Sequence, residues 1–128
     1  MCLLEHIIDW DEQSVRLETA THRSTTNPLR FNDKLRAIHL CEYGAQAMAV
    51  HGALKAQAIG GRAPPGMLVS LRAVSFNCDY VENLPGNLRV EARCLQASDA
   101  SQQYSFCVSH AGAVLAEGRA AVLLKKEG

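Results

Sequence analysis

LRAIHLCEYGAQAMAVHGALKAQA, residues 35–58, is hydrophobic almost all round a helix and carries one acid, Glu42, near its middle. A helix apolar on most sides reads as a buried one. Glu42 and Gln46 stand one turn apart and share a face. Burying an ionised carboxyl costs enough that such a group normally neutralises, pairs or does chemistry. The interior glycines, Gly44 and Gly52, each give up about 1 kcal/mol of helix propensity relative to alanine. That cost predicts something packed closely against both positions, and a sheet wrapped on the helix would supply it.

Working outward, residues 3–10 and 14–21 read as two strands joined through Asp11-Glu12-Gln13, because Val15, Leu17 and Thr19 alternate with Arg16, Glu18 and Ala20 at the period of a half-buried strand. Residues 22–34 are polar and aperiodic, so they read as a loop ending in a helix N-cap at Asn32 or Asp33. Gly60-Gly61 and Pro64-Pro65 stop the helix near residue 58. Residues 67–80, 88–96, 102–110 and 113–125 then read as four strands separated by turn residues such as Leu84-Pro85-Gly86-Asn87 and Ala111-Gly112. Two strands, one long helix and four more strands make an α+β plan. No repeat or linker divides residues 1–128, which are expected to form a single domain.

A chain of 128 residues with 48% hydrophobic content has enough apolar sequence for a real core. Thirteen basic residues balance thirteen acidic ones, so no strongly basic surface points to nucleic acid. The five cysteines lack any C-x-x-C spacing, which supports neither a disulfide framework nor a zinc site; reduced core residues are expected, with no metal and no cofactor. The N-terminal stretch contains Glu5, His6 and Asp9 and does not read as a signal peptide. No window is long and apolar enough for a membrane span. A cytoplasmic protein is expected.

The order of elements, with three local strings, resembles the hotdog-fold dehydratases that act on 3-hydroxyacyl chains attached to acyl-carrier protein. Residues 2–10, CLLEHIIDW, are similar to that family's opening M-L-L-V-D-R-V strand. Residues 42–47, EYGAQA, are similar to its central-helix E-x-x-x-Q-A motif, and residues 67–76 followed by Leu84-Pro85-Gly86-Asn87 to its strand and P-G-D turn. Residues 27–30 and 42–54 resemble the dehydratase-like subset found with bacterial aryl-polyene pigment synthesis. The resemblance implies a curved antiparallel sheet around the helix, protomers paired by their strand edges as a homodimer or as a heterodimer with a related hotdog subunit, and active sites at that interface. It also implies a role in fatty-acid or polyene biosynthesis.

Dehydration of a 3-hydroxyacyl thioester needs a base for the C2 proton, an acid for the departing hydroxyl and donors for the thioester oxygen. By the resemblance, Glu42 is the helix carboxylate and Gln46 orients it or its water. Family members carry a histidine in an H-F-P-G segment before the helix; here Asn27-Pro28-Leu29-Arg30-Phe31-Asn32-Asp33-Lys34-Leu35, with no histidine in it, stands in that place. His22, in the preceding loop, and His39, three residues before Glu42, are the candidates to replace it. Either could be ordinary, His22 as a solvated loop residue and His39 as a helix cap. Glu42 could instead be a salt-bridge partner of Arg36 or Arg72. Asn27, Arg30, Ser70 and Leu71 are candidates for binding the substrate arm and chain, with an apolar tunnel lined by the helix and residues 68–74. A hotdog thioesterase, or a subunit that lends Glu42 to a histidine-bearing partner, would use the same carboxylate.

Overall fold

The structure, a computed structural model, describes residues 2–61 and 66–124. Within them the chain forms β1 (His6–Trp10), β2 (Ser14–Thr19), a long helix α1 (Leu40–Ala58), β3 (Gly66–Phe76), β4 (Leu88–Ala97), β5 (Ser101–His110) and β6 (Ala113–Leu124). The strands make one sheet in the order β1-β2-β4-β5-β6-β3, with every neighbouring pair antiparallel. The α+β arrangement of a curved sheet on one helix is as expected from the sequence. Pro64-Pro65 and the end of the last strand at Lys125 lie outside the described residues.

Strand alternation builds one side of the core. Val15, Leu17, Leu88, Val90, Ala92, Tyr104, Phe106, Val108, Ala116 and Ala120 are buried on the inner face. Against them α1 lays Leu40, Tyr43, Gly44, Ala47, Met48 and His51, the spacing of a single helical stripe. Its main contacts are with β2, β4 and β5. Gly44 fulfils the close-packing expectation, because a Cβ there would sit 2.7 Å from the Phe106 ring. Gly52 does not; a Cβ there would meet nothing within 4 Å among the described residues.

The helix starts later than the hydrophobic run suggests. Asn32 and Asp33 both have positive φ and form a tight turn closed by paired backbone bonds between Phe31 and Lys34, as the short polar side chains of Asn and Asp allow. They are therefore not an N-cap. Leu35 and Arg36 stay extended because Ala37 N–H donates to Asp79 O and Leu35 O accepts from Val81 N–H. A 3₁₀ turn, Ala37–His39, then leads into α1. The other end closes as the glycines predict: Gly60 has φ +76°, its N–H bonds Gln57 O and the Gly61 N–H bonds Ala56 O, a Schellman cap.

The first strand is also shorter than expected. Leu3 and Leu4 are buried ahead of β1, and Leu3 is held by its backbone: its N–H donates to Gln46 Oε1 at 2.7 Å and its C=O accepts from the hydroxyls of Thr19 and Thr21. β3 ends at Phe76 rather than at residue 80, and bulges interrupt its pairing with β6 between Leu68 and Ser70 and between Arg72 and Ser75. Ala73, inside the second bulge, has φ 53°, the left-handed region that favours glycine.

Candidate active site

Glu42 sits in the first turn of α1, where the positive end of the helix dipole favours a carboxylate. The buried stripe Leu40, Tyr43, Gly44, Ala47, Met48 and His51 faces the sheet, and Glu42 points nearly the opposite way and is exposed. The expectation of a buried carboxylate is thus corrected: the sheet covers one side of the helix only. Along the uncovered side Glu42 is followed by the small residues Ala45, Ala49, Ala53 and Ala56, none of them fully buried. Among the described residues no ion pair joins Glu42 to Arg36 or Arg72; the ion pairs present belong to Arg16, with Asp9 and Glu91.

Gln46, one turn on, is half-buried and spends its carbonyl on Leu3 N–H. It therefore pins the N-terminal segment to the helix flank beside Glu42. His39 lies one turn before Glu42 in the 3₁₀ segment, half-buried, and makes no side-chain cap bond to the helix. His39, Glu42 and Gln46 are consequently brought onto one flank of the helix start.

The loop candidates form a second group. His22 is fully buried, not solvated. One ring nitrogen, Nε2, lies 2.9 Å from Leu84 O; since a carbonyl only accepts, Nε2 carries the proton and Nδ1 holds a free lone pair. Nδ1 is buried without a hydrogen-bond partner among the described residues. Burial, with Arg23, His110 and Arg30 nearby, holds the imidazole below its ordinary pKa, against the raising effect of the bond to Leu84. The ring is neutral near pH 7. Asn27, also buried, has its amide committed: Nδ2 donates to Thr21 O and Tyr43 OH, and Oδ1 accepts from Leu29 N–H. Arg30 donates through its two terminal nitrogens to Asp33 O and His22 O, and its Nε is buried without a hydrogen-bond partner among the described residues. Tyr43, with Thr21 at 3.0 Å from its hydroxyl, ties this loop to the helix one residue after Glu42.

Sequence reasoning missed Tyr43 and Thr21 as the joint between loop and helix. A tyrosine on a buried helix stripe needs a partner for its hydroxyl, and that need was the available signal. Ser70, half-buried, and Leu71, exposed, lie on the edge strand β3 opposite Ala121 and Ala120, and among the described residues no hydrogen bond ties them to the helix candidates. Burial raises the Cys41 thiol pKa, so this neighbour of Glu42 is a poor nucleophile.

A cavity of about 1040 Å³ lies toward the other end of α1, lined by Met48, Ala49, Gly52, Ile59, Tyr104 and Val122 among others. Among the described residues, none of the expected tunnel wall of residues 68–74 lines it; β3 contributes Gly66. At its side His51 is buried with both nitrogens used. Tyr104 OH lies 2.7 Å from Nδ1, and Nε2 donates to Asp11 O at 2.9 Å. Burial holds His51 below its ordinary pKa and pushes the Tyr104 hydroxyl well up.

Among the described residues no cluster of side chains could hold a metal ion, and no helix is long and apolar enough to cross a membrane. Residues 1–127 match the family described as ApeP-like, ApeP dehydratase. The dehydratase heterocomplex ApeI:P from Xenorhabdus doucetiae contains a chain with a TM-score of 0.86 and 22% identity, over 98% of this chain and 84% of that one. A hypothetical thioesterase with coenzyme A from Streptococcus pneumoniae is similar at a TM-score of 0.64 and 11% identity, over 95% and 86%. AziG of S. sahachiroi gives 0.67 and 15%, over 97% and 92%. Curated proteins gave no match. At these identities the structural likenesses carry the fold, which is the hotdog fold.

Proposed function

The chain belongs to the ApeP-like dehydratase family, and from that premise we propose that it removes water from 3-hydroxyacyl thioesters carried on acyl-carrier protein, as one subunit of a hotdog dimer. The observation that carries this reading is Glu42: a carboxylate at a helix start, without an ion pair among the described residues, on the one helix face that the chain's own sheet leaves open. A second subunit laid on that face would enclose the carboxylate and provide the dry surroundings in which acid/base groups work best.

The elimination needs two groups. One takes the C2 proton and the other returns a proton to the C3 oxygen, so that the C–O bond breaks, the C2–C3 double bond forms and water departs. Glu42 is the proposed group at the C3 oxygen. The base is proposed to be a histidine. His22 has the required free lone pair at Nδ1, yet it is sealed inside the loop. His39 is half-buried on the flank of Glu42, with no hydrogen bond among the described residues to orient its ring. A histidine-bearing hotdog subunit would supply the missing base directly, and this chain is proposed to form a heterodimer with such a subunit in preference to a homodimer. Gln46 would hold the helix flank beside the carboxylate. Arg30, Ser70 and Leu71 remain proposed contacts for the arm and chain, whereas the committed amide of Asn27 makes it a support for the loop. A cytoplasmic place in fatty-acid or polyene synthesis follows from such a substrate.

The test is an assay on 3-hydroxyacyl-acyl-carrier protein, followed by mass, with the chain alone and with an added hotdog subunit that carries the family histidine. Loss of water only in the mixture is the expected result. The second reading is thioester hydrolysis, favoured by the fold shared with the hypothetical thioesterase with coenzyme A. Release of free acid and thiol in place of an enoyl thioester would establish it and remove the dehydratase reading.

A further inference from the structure

The balanced total charge conceals an uneven outer face. On the sheet's outer side Arg93 pairs in register with Ser105, Ser105 with Arg119, and Arg119 with Arg72. The three arginines are exposed and none is in an ion pair among the described residues. The next row outward on the same face contains Arg16, Glu91, Cys107, Glu117 and Ser75. There Glu91 is already engaged by Arg16 at 3.6 Å, which leaves Glu117 as the one carboxylate of the two rows without an ion pair among the described residues.

Arg119 opposite Arg72 is a like-charge cross-strand pair, which a sheet tolerates at a cost. Neither burial nor a salt bridge gives these arginines a structural reason to be there. We propose that the row Arg93, Arg119 and Arg72 is the docking surface for the acidic helix of a carrier protein that brings the thioester. This rests on the carrier-bound substrate proposed above. The geometry suits such a helix: at the usual strand spacing the row is about 14 Å long, and carboxylates two turns apart on a helix are separated by about 11 Å, so an acidic helix laid across the strands meets successive arginines. The row ends on β3, one of the two edge strands of the sheet, and the arm that carries the thioester has to pass round an edge to the side that holds α1.

The experiment measures binding of an acyl-carrier protein loaded with a 3-hydroxyoctanoyl thioester to the wild-type chain and to the double variant Arg93→Glu, Arg119→Glu, at low and high salt. The expected result is at least a tenfold loss of affinity in the variant and a flattened salt dependence, with the melting temperature kept or raised because the carboxylate introduced at position 119 faces Arg72. If the double variant fails to fold, Arg93→Gln with Arg119→Gln replaces it and must show the same direction. Unchanged affinity overturns the proposal, as does equal weakening by polyglutamate competitor of wild type and variant. The functional reading is tested apart from this, with the same acyl group on pantetheine. Binding lost on charge reversal but no dehydration of either substrate by any assembly would leave the surface standing and refute the reaction; dehydration of the carrier substrate with the variant as good as wild type would do the reverse.

Discussion

The two ends of α1 treat their polar groups differently. At the C-terminal half His51 has a donor on one nitrogen and an acceptor on the other, through Tyr104 and Asp11, beside a large cavity. At the N-terminal end Glu42 is exposed and without an ion pair among the described residues, and the nearby loop holds His22 with one nitrogen bonded and the other vacant. Fully satisfied polar groups in a core mark structure. An exposed carboxylate and a buried ring nitrogen with no partner among the described residues are instead open to a further partner, and this difference is the basis on which the helix start is proposed as the working end.

The largest expected effect falls on Glu42. Since the carboxylate is exposed and without an ion pair among the described residues, Glu42→Gln is expected to lower the melting temperature by only about 1 to 3 °C, the scale of a surface substitution that loses a helix-dipole interaction. Turnover in the active assembly should fall roughly 100- to 10,000-fold with the loss of acid/base catalysis. Both are read on the same sample. Surviving activity with a melting temperature lowered by more than this would reverse the contrast between the two ends and make Glu42 structural.

Next come the two tyrosine hydroxyls, one at each end. Tyr104→Phe strands the buried Nδ1 of His51 without a donor and is expected to cost about 1 to 3 kcal/mol with activity per folded molecule unchanged. Tyr43→Phe leaves Thr21 its bond to Leu3 O and Asn27 its bond to Thr21 O, so its cost should be smaller, about 1 kcal/mol. Chemical denaturation of the pair gives the comparison. A larger loss at Tyr43 would mean that the N-terminal network is the more cooperative one.

Acid should expose both histidines. His22 and His51 are each held below the ordinary value by burial. Below about pH 6.5 the unfolded chain takes up protons that the folded one refuses, so stability is full above that value and falls as pH drops toward the folded-state pKa. Each residue contributes a slope of at most about 1.4 kcal/mol per pH unit. Glu5 and Asp11, lowered by backbone hydrogen bonds to Ala20 and to Gln13 and Ser14, act with the same sign but only near pH 4 and below. Melting temperatures measured from pH 8 to 5 should therefore be level and then decline, and His51→Gln should shed part of that decline. A flat profile down to pH 5 would show that neither ring is held neutral.

The architecture was legible because it rests on periodicity: Val15, Leu17 and Thr19 on a strand, and Leu40, Tyr43, Ala47 and His51 on a helix, follow the periods of 2 and 3.6 residues. What was not legible depends on contacts between distant segments. The apolar run from Leu35 looks helical, but its first residues are drawn into bridging with residues 79–81, which no local pattern records. Likewise Glu42 reads as buried from its apolar neighbours, since a sequence cannot say which side of a helix its own sheet covers. His22 reads as solvated beside Thr21 and Arg23, yet its ring is buried and donates to Leu84, sixty-two residues on.

The smallest effects come from the two helix glycines, and their signs are the point. Alanine in place of either gains about 1 kcal/mol of helix propensity. At Gly44 the new methyl would lie 2.7 Å from Phe106 Cδ2 and Cγ, and because Phe106 is itself buried in the core it cannot swing away freely; overpacking of this kind costs about 1 to 3 kcal/mol. Gly44→Ala should therefore be destabilising or at best neutral. At Gly52 the methyl enters open space beside the cavity, so the propensity gain stands alone, and Gly52→Ala should raise the melting temperature by about 3 to 5 °C. If Gly52→Ala instead lowered stability, something must occupy that space in solution, and the contrast between a tightly packed helix start and a loosely packed second half would have to be withdrawn.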